Sequence, residues 1–70
     1  MADVIARWES RGGKDWVELY ETNYDFRFRS NGHRGYAGKT YEDAMAYMRP
    51  RVAKDAYLFC SQKSAMKRVV

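Results

Sequence analysis

The sequence predicts an α+β fold: a four-stranded antiparallel meander, one helix packed on one face, and a C-terminal strand or hairpin (β-β-β-β-α-β(-β)). Two observations predict it. Four short runs alternate between apolar and polar residues and are separated by turn residues, and a stretch with helical periodicity follows them. The length of 70 residues predicts that residues 1–70 form a single small domain.

The four predicted strands are DVIARWES, DWVELYE, FRFRS and HRGYA. Gly12-Gly13 is a favoured two-residue hairpin loop, residues 22–25 read as a four-residue turn, and Asn31-Gly32 is a strong hairpin signal. These turns place Trp8 opposite Val17, Leu19 opposite Phe28 and Phe26 opposite Ala37. One face of the sheet then collects the apolar residues Val4, Ala6, Trp8, Val17, Leu19, Phe26, Phe28 and Ala37.

A helix is predicted to begin after Thr40, which is a good N-cap residue, with Glu42 and Asp43 in the first turn. Its apolar stripe, which we expect to cover the apolar face of the sheet, consists of Tyr41, Ala44, Met45, Met48 and Val52. Pro50 limits the helix, which either ends near Arg49 or kinks and continues to about Lys54.

The C-terminal residues predict two further elements. AYLFCS is typical of a buried strand, and Gln62-Lys63 is a candidate turn that leads into a final strand AMKRVV. A helical tail is the alternative for these last residues.

The positive charge is unevenly distributed along the chain, whose net charge is +4. Residues 26–39 carry four cations and no acid, and residues 44–70 carry six cations and one acid. Residues 1–25 carry twice as many acids as cations. We therefore expect an anionic partner to dock on the second hairpin and the C-terminal third.

The same register places a row of charges, Arg7, Glu18, Arg29 and Arg34, on the face of the sheet away from the helix. Glu18 can pair with Arg7 and with Arg29, whereas Arg34 has no acid beside it. Arginine interleaved with aromatic rings is common on surfaces that bind nucleic acid and in protein–protein hot spots. The candidate binding residues are Arg7, Trp16, Tyr20, Arg27, Arg29, Arg34, Tyr36, Lys39, Lys63, Lys67 and Arg68. A polar outer face is also ordinary for an antiparallel sheet covered on one side.

The sequence offers no basis for catalysis or for binding a metal or cofactor. His33 is the only histidine and has no Cys or Asp at ligand spacing, and Cys60 is a lone cysteine in an apolar run. The lone cysteine, the lack of a signal peptide and the lack of a long apolar stretch favour a cytoplasmic protein that does not enter a membrane.

The layout of residues 15–70 resembles that of small phage-encoded host-inhibitory proteins, including type I-F anti-CRISPRs. The resemblance lies in a hairpin, the helix segment DAMAYM and the closing segment AYLFCSQKSAMKRV. It implies an inhibitor that acts by binding a large host complex, such as a CRISPR surveillance complex or RNA polymerase.

Three hypotheses follow for the function. The first is a non-enzymatic module that binds nucleic acid, or an acidic protein or nucleoprotein complex that handles it, through the basic and aromatic sheet face. The second is the phage-type inhibitor, which acts through protein–protein contacts. The third is a structural or oligomeric small protein, and a homodimer is compatible with exposed strand edges and aromatic residues.

Overall fold

The computed structural model describes residues 3–30, 32–53 and 66–70. In chain order the elements are β1 (Asp3–Glu9), β2 (Trp16–Glu21), β3 (Phe26–Ser30), β4 (His33–Gly38), α1 (Tyr41–Val52) and β5 (Lys67–Arg68). The strands form one antiparallel sheet in the order β4-β3-β2-β1-β5. This arrangement confirms the predicted α+β fold. The predicted strand AYLFCS lies outside the described residues.

The β1–β2 loop is longer than the predicted two-residue turn. A single 3-10 turn, Arg11–Gly13, occupies it, and the backbone N–H of Ser10 donates to the carbonyl of Asp15 at 2.8 Å. The Ser10 hydroxyl also accepts a hydrogen bond from the Asp15 N–H at 2.9 Å. The loop is still centred on Gly12-Gly13, so the strand register is the predicted one although the turn type is not.

The β3–β4 turn is the predicted two-residue connection, because Ser30 and His33 are directly paired across it. Gly32 lies in this turn at φ 80°, a backbone conformation that costs glycine little and other residues more. The turn therefore fixes the register that places Arg29 opposite Arg34.

Two β-bulges change the predicted pairing. Val4 pairs with Tyr20 and Ala6 with Leu19, so Ile5 is an extra residue in β1. Because a bulge reverses the alternation of the chain before it, Val4 is exposed and Ile5 packs against the core, the opposite of the prediction.

The second bulge lies at the end of β4. Arg27 pairs with Tyr36 as predicted, but Phe26 pairs with Gly38 and not with Ala37. Ala37 is the extra residue, and it is nevertheless buried in the core. The prediction that Ala37 lies on the apolar face of the sheet is confirmed. The prediction that Ala37 pairs with Phe26 was wrong.

The core lies between the sheet and α1, which contacts β4 and β3. Its buried apolar residues are Ala6, Trp8, Val17, Leu19, Phe26, Phe28, Ala37, Ala44, Met45, Met48, Val52 and Met66. Tyr41, which the stripe predicted to be buried, is 47% exposed and packs the edge of its ring against Phe26, with centroids 6.4 Å apart.

The helix continues past Pro50 to Val52, which agrees with the predicted alternative of a helix that runs on to about Lys54 and excludes an end near Arg49. Thr40 is the N-cap, and its hydroxyl accepts a hydrogen bond from the Asp43 N–H at 3.1 Å. Val52 is buried, and its carbonyl accepts a hydrogen bond from the Met66 N–H at 3.0 Å. These contacts hold the last helical turn in place despite the proline.

The C-terminal residues add a short strand and not a helical tail. Lys67 pairs with Glu9 and Arg68 with Trp8 at the β1 edge of the sheet. The Val69 N–H extends this pairing by donating to the carbonyl of Arg7 at 2.8 Å.

Candidate functional site

The face of the sheet away from α1, called the outer face here, carries alternating charged and aromatic residues. Its members are Arg7, Glu9, Trp16, Glu18, Tyr20, Arg27, Arg29, Arg34, Tyr36 and Lys67. The β1 and β2 members are partly buried, whereas the β3 and β4 members are exposed. The outer face therefore has a packed half and an open half.

An ion-pair network occupies the packed half. The Nε and Nη1 of Arg7 donate to Glu9 and Glu18, both at 2.8 Å. Glu18 also accepts a hydrogen bond from the Nε of Arg29 at 2.8 Å. The predicted bridging role of Glu18 is thus confirmed, and the Arg7–Glu9 pair within β1 is an addition that the cross-strand prediction missed.

The Glu18 carboxylate is the centre of this network, and its side chain is only 15% exposed. Partial burial by itself raises the pKa of Glu18, but the hydrogen bonds from Arg29 and Arg7 outweigh it and hold the net pKa below the ordinary value. Glu18 consequently stays ionised where it fixes the positions of two arginines.

Two of the three predicted aromatic rings of the outer face are covered by these arginines. The guanidinium carbon of Arg7 lies 4.7 Å from the centre of the Trp16 ring, and that of Arg29 lies 5.4 Å from the centre of the Tyr20 ring. Such cation–π contacts stabilise the sheet. Trp16 and Tyr20 therefore serve mainly as supports for arginine side chains.

Arg27 has an acidic partner that the sequence analysis did not identify. Its Nε donates to the Oδ1 of Asp25 at 3.2 Å, and the Thr22 hydroxyl donates to the same oxygen at 2.7 Å. The hydrogen bond from Thr22, followed by that from Arg27, lowers the pKa of Asp25. The signal was the spacing of two residues between Asp25 and Arg27, which places both side chains on one side of an extended chain.

The open half of the outer face brings together Arg27, Arg29, Arg34 and Tyr36, called the quartet here. Arg29 lies opposite Arg34, and Arg27 lies opposite Tyr36. The side chains of Arg27 and Arg29 are 48% and 51% exposed, and Tyr36 is 49% exposed. The predicted cluster on the second hairpin is therefore present and accessible.

The quartet arginines differ in how they are held. Among the described residues, Arg27 and Arg29 are bound to acids only through Nε, so their Nη1 and Nη2 groups make no ion pair with a described acid. Arg34 makes no ion pair within residues 3–30, 32–53 and 66–70. The quartet thus offers guanidinium groups that two carboxylates orient but do not fully occupy.

The remaining predicted cations are dispersed. Lys39 is exposed just after β4, where its charge contributes to the lowered pKa of Asp25. Lys67 lies opposite Glu9 in the pairing of β5 with β1, at the far edge of the outer face. Arg68 is on the opposite face, where its guanidinium carbon lies 5.8 Å from the centre of the Trp8 ring. Lys63 lies outside the described residues. The structure therefore does not bring Arg68 to the quartet.

The described part of the chain contains no group of three or more His, Cys, Asp or Glu residues that could hold a metal ion. His33 is exposed at the start of β4. In the same described ranges, no helix has the length and apolar character needed to cross a membrane.

Comparison of the chain with protein-family models, with curated proteins and with solved structures gives no significant match.

Proposed function

We propose that this protein is a non-enzymatic binding module that engages nucleic acid through the open half of its outer face. The observation that carries the proposal is the like-charge pair of Arg29 and Arg34, directly opposite each other on β3 and β4, in which only Arg29 has an acidic partner among the described residues. Like charges at such positions destabilise a sheet, and a bound phosphate would remove that cost.

The charge distribution supports the choice of an anionic partner. Arg7 is paired with two acids, but the three arginines of the quartet share, among the described acids, only Asp25 and one oxygen of Glu18. Arginine is suited to phosphate because its planar group donates two parallel hydrogen bonds. An exposed tyrosine in the same cluster adds a flat ring that can stack on a base.

The test is a titration of a fluorescent mixed-sequence oligonucleotide at 50 mM and 200 mM salt. If about three phosphates are contacted, affinity should fall about 20-fold between the two salt concentrations. Arg34→Ala should weaken binding at 50 mM salt about fivefold and make the salt dependence shallower.

Arg49→Ala is the matched control, because Arg49 is exposed on α1, on the other side of the sheet, and its loss changes the net charge equally. It should leave affinity nearly unchanged. Absence of binding at 50 mM salt would contradict the proposal, and so would equal effects of Arg34→Ala and Arg49→Ala.

A second candidate is an inhibitor that binds an acidic surface of a protein complex that handles nucleic acid. The observation in its favour is the ion-pair network that Glu9 and Glu18 form with Arg7 and Arg29, since these two acids would repel phosphate but are acceptable in a protein interface. Capture of a host complex from nuclease-treated lysate that Arg34→Ala abolishes would favour this candidate over the first.

A further inference from the structure

The quartet is arranged as a small rectangle on the surface of the sheet. Arg29 with Arg34, and Arg27 with Tyr36, are pairs directly across two strands, so the Cβ atoms of each pair are about 5 Å apart. The two pairs are two residues apart along β3, a step of about 7 Å. Three corners of the rectangle are cationic, and the fourth is a phenol ring.

One side of this rectangle is suited to a phosphate. Glu18 holds Arg29 by its Nε, which orients the guanidinium group, and the two Nη groups make no ion pair with a described residue. Arg34 extends from the opposite strand and makes no ion pair with a described residue. A phosphate between the two guanidinium groups would accept hydrogen bonds from both and relieve their repulsion.

The other side is suited to a base. Tyr36 is 49% exposed, and none of the described aromatic or cationic side chains packs on its ring. In this it differs from Trp16 and Tyr20, which guanidinium groups cover. Arg27, directly beside Tyr36, is held by Asp25 through Nε and can contact the next phosphate or sugar.

These features favour an unpaired strand over a duplex. The bases of a duplex are stacked on each other and cannot reach Tyr36, whereas those of a single strand can turn outward onto a ring.

We propose that the ligand of the quartet is single-stranded nucleic acid, with one phosphate between Arg29 and Arg34 and the adjoining base stacked on Tyr36. This inference rests on the proposed function and deepens it by naming the strand type and the position of one nucleotide. Arg27 and Arg29 are positioned for it by Asp25 and Glu18.

The test compares three labelled ligands of one sequence by fluorescence anisotropy: a 12-nucleotide single strand, its duplex, and a 12-nucleotide strand without bases. Charge attraction alone favours the duplex, whose phosphates are more closely spaced. Stacking on Tyr36 instead predicts that the single strand binds about tenfold more tightly than either the duplex or the abasic strand.

Tyr36→Leu locates the stacking. It should reduce affinity for the normal single strand about tenfold and make the normal and abasic strands bind alike, whereas Tyr36→Trp should retain the preference for bases. Tyr41→Leu is the matched control, because Tyr41 is equally exposed but packs on Phe26 on the helix side of the sheet. Near-ultraviolet circular dichroism checks that each variant is folded.

The outcomes separate this inference from the proposed function. Equal or tighter binding of the duplex, or an abasic penalty that persists in Tyr36→Leu, would overturn the single-strand inference while nucleic-acid binding stands. Failure of all three ligands to bind at 50 mM salt would overturn both.

Discussion

Arg29 and Arg34 face each other directly across β3 and β4, and only Arg29 has an acidic partner among the described residues. Glu18 on β2 binds the Nε of Arg29 from the other side. Across the sheet, the charges of Arg7, Glu18 and Arg29 therefore alternate from β1 to β3, and a second positive charge, that of Arg34, follows on β4. The repeat occurs where both arginines are exposed, so a ligand can reach it.

We predict that Arg34→Glu raises the thermal stability of the free protein. The substitution replaces a like-charge pair with an opposite-charge pair at directly opposed positions, worth about 0.5 kcal/mol, which corresponds to a Tm increase of about 2–4 °C in a domain of this size. Thermal unfolding followed by circular dichroism measures it. Arg49→Glu, at the C-terminal end of α1, makes the same charge change and should lower the Tm, because the helix dipole favours a cation there. A lower Tm for Arg34→Glu would indicate that Arg34 supports the fold.

The strand register could be predicted because the three turns constrain it independently. Gly12-Gly13 pairs Leu19 with Ala6, residues 22–25 pair Leu19 with Phe28, and Asn31-Gly32 pairs Phe28 with Gly35, and the structure confirms these three pairings. The register tolerated an error in turn type, because the longer β1–β2 loop has the same centre as the two-residue turn.

The bulges could not be predicted in the same way, and the sequence left the end of the helix open between Arg49 and about Lys54. Alternation gives no signal for an extra residue when Val4 and Ile5 are both apolar, so tertiary packing decides which of them is buried. Pro50 similarly indicates a helix end, but burial of Val52 keeps the last turn helical. In both places a local rule is overridden by contacts that are distant in sequence.

The sequence predicted which residues of the candidate site are cross-strand neighbours, but it did not predict all of their ion pairs. Cross-strand pairing correctly placed Glu18 between Arg7 and Arg29. It could not reveal the Arg27–Asp25 pair, because these two residues are not cross-strand neighbours and only their two-residue spacing along the chain indicates the contact. The distinction between covered and accessible rings also needed side-chain positions.

We predict that Gly35→Ala destabilises the protein by about 1–3 kcal/mol, the usual cost of overpacking a core. The Phe28 ring lies across Gly35, and an added Cβ would be 2.9 Å from its Cζ atom. Movement of Phe28 would also disturb its stacking on Tyr47, whose ring centre is 5.6 Å away. Urea unfolding measures the loss.

A double-mutant cycle with Phe28→Leu tests the stated cause. Leucine lacks the ring atoms closest to Gly35, so Gly35→Ala should cost clearly less in the Phe28→Leu background than in the wild type. Equal costs in the two backgrounds would mean that strain with Phe28 is not the reason.

We predict that Pro50→Ala stabilises the protein by about 1–2 kcal/mol. Proline within a helix removes one backbone hydrogen bond and costs about 3 kcal/mol relative to alanine, partly offset by the restriction it imposes on the unfolded chain. The helix already extends to Val52 around Pro50, so the substitution requires no rearrangement. Pro50→Gly restores the N–H without the helix preference of alanine, and its gain in urea unfolding should be smaller. A loss of stability in Pro50→Ala would show that the proline stabilises the native end of α1.

We predict that Glu18→Gln destabilises the protein by about 1–2 kcal/mol at neutral pH, because a partly buried carboxylate holds two arginines. The lowered pKa of Glu18 means that the unfolded chain binds its proton more readily than the folded one. The contribution of Glu18 is therefore fully present above its ordinary pKa of 4.5 and is lost as the pH falls through the lower pKa of the folded state. Urea unfolding between pH 7 and pH 3 should show the wild-type and Glu18→Gln stabilities converging towards acid pH. A constant difference across this range would mean that the ionised form of Glu18 is not what stabilises the network, and the orientation of Arg29 would then need another source.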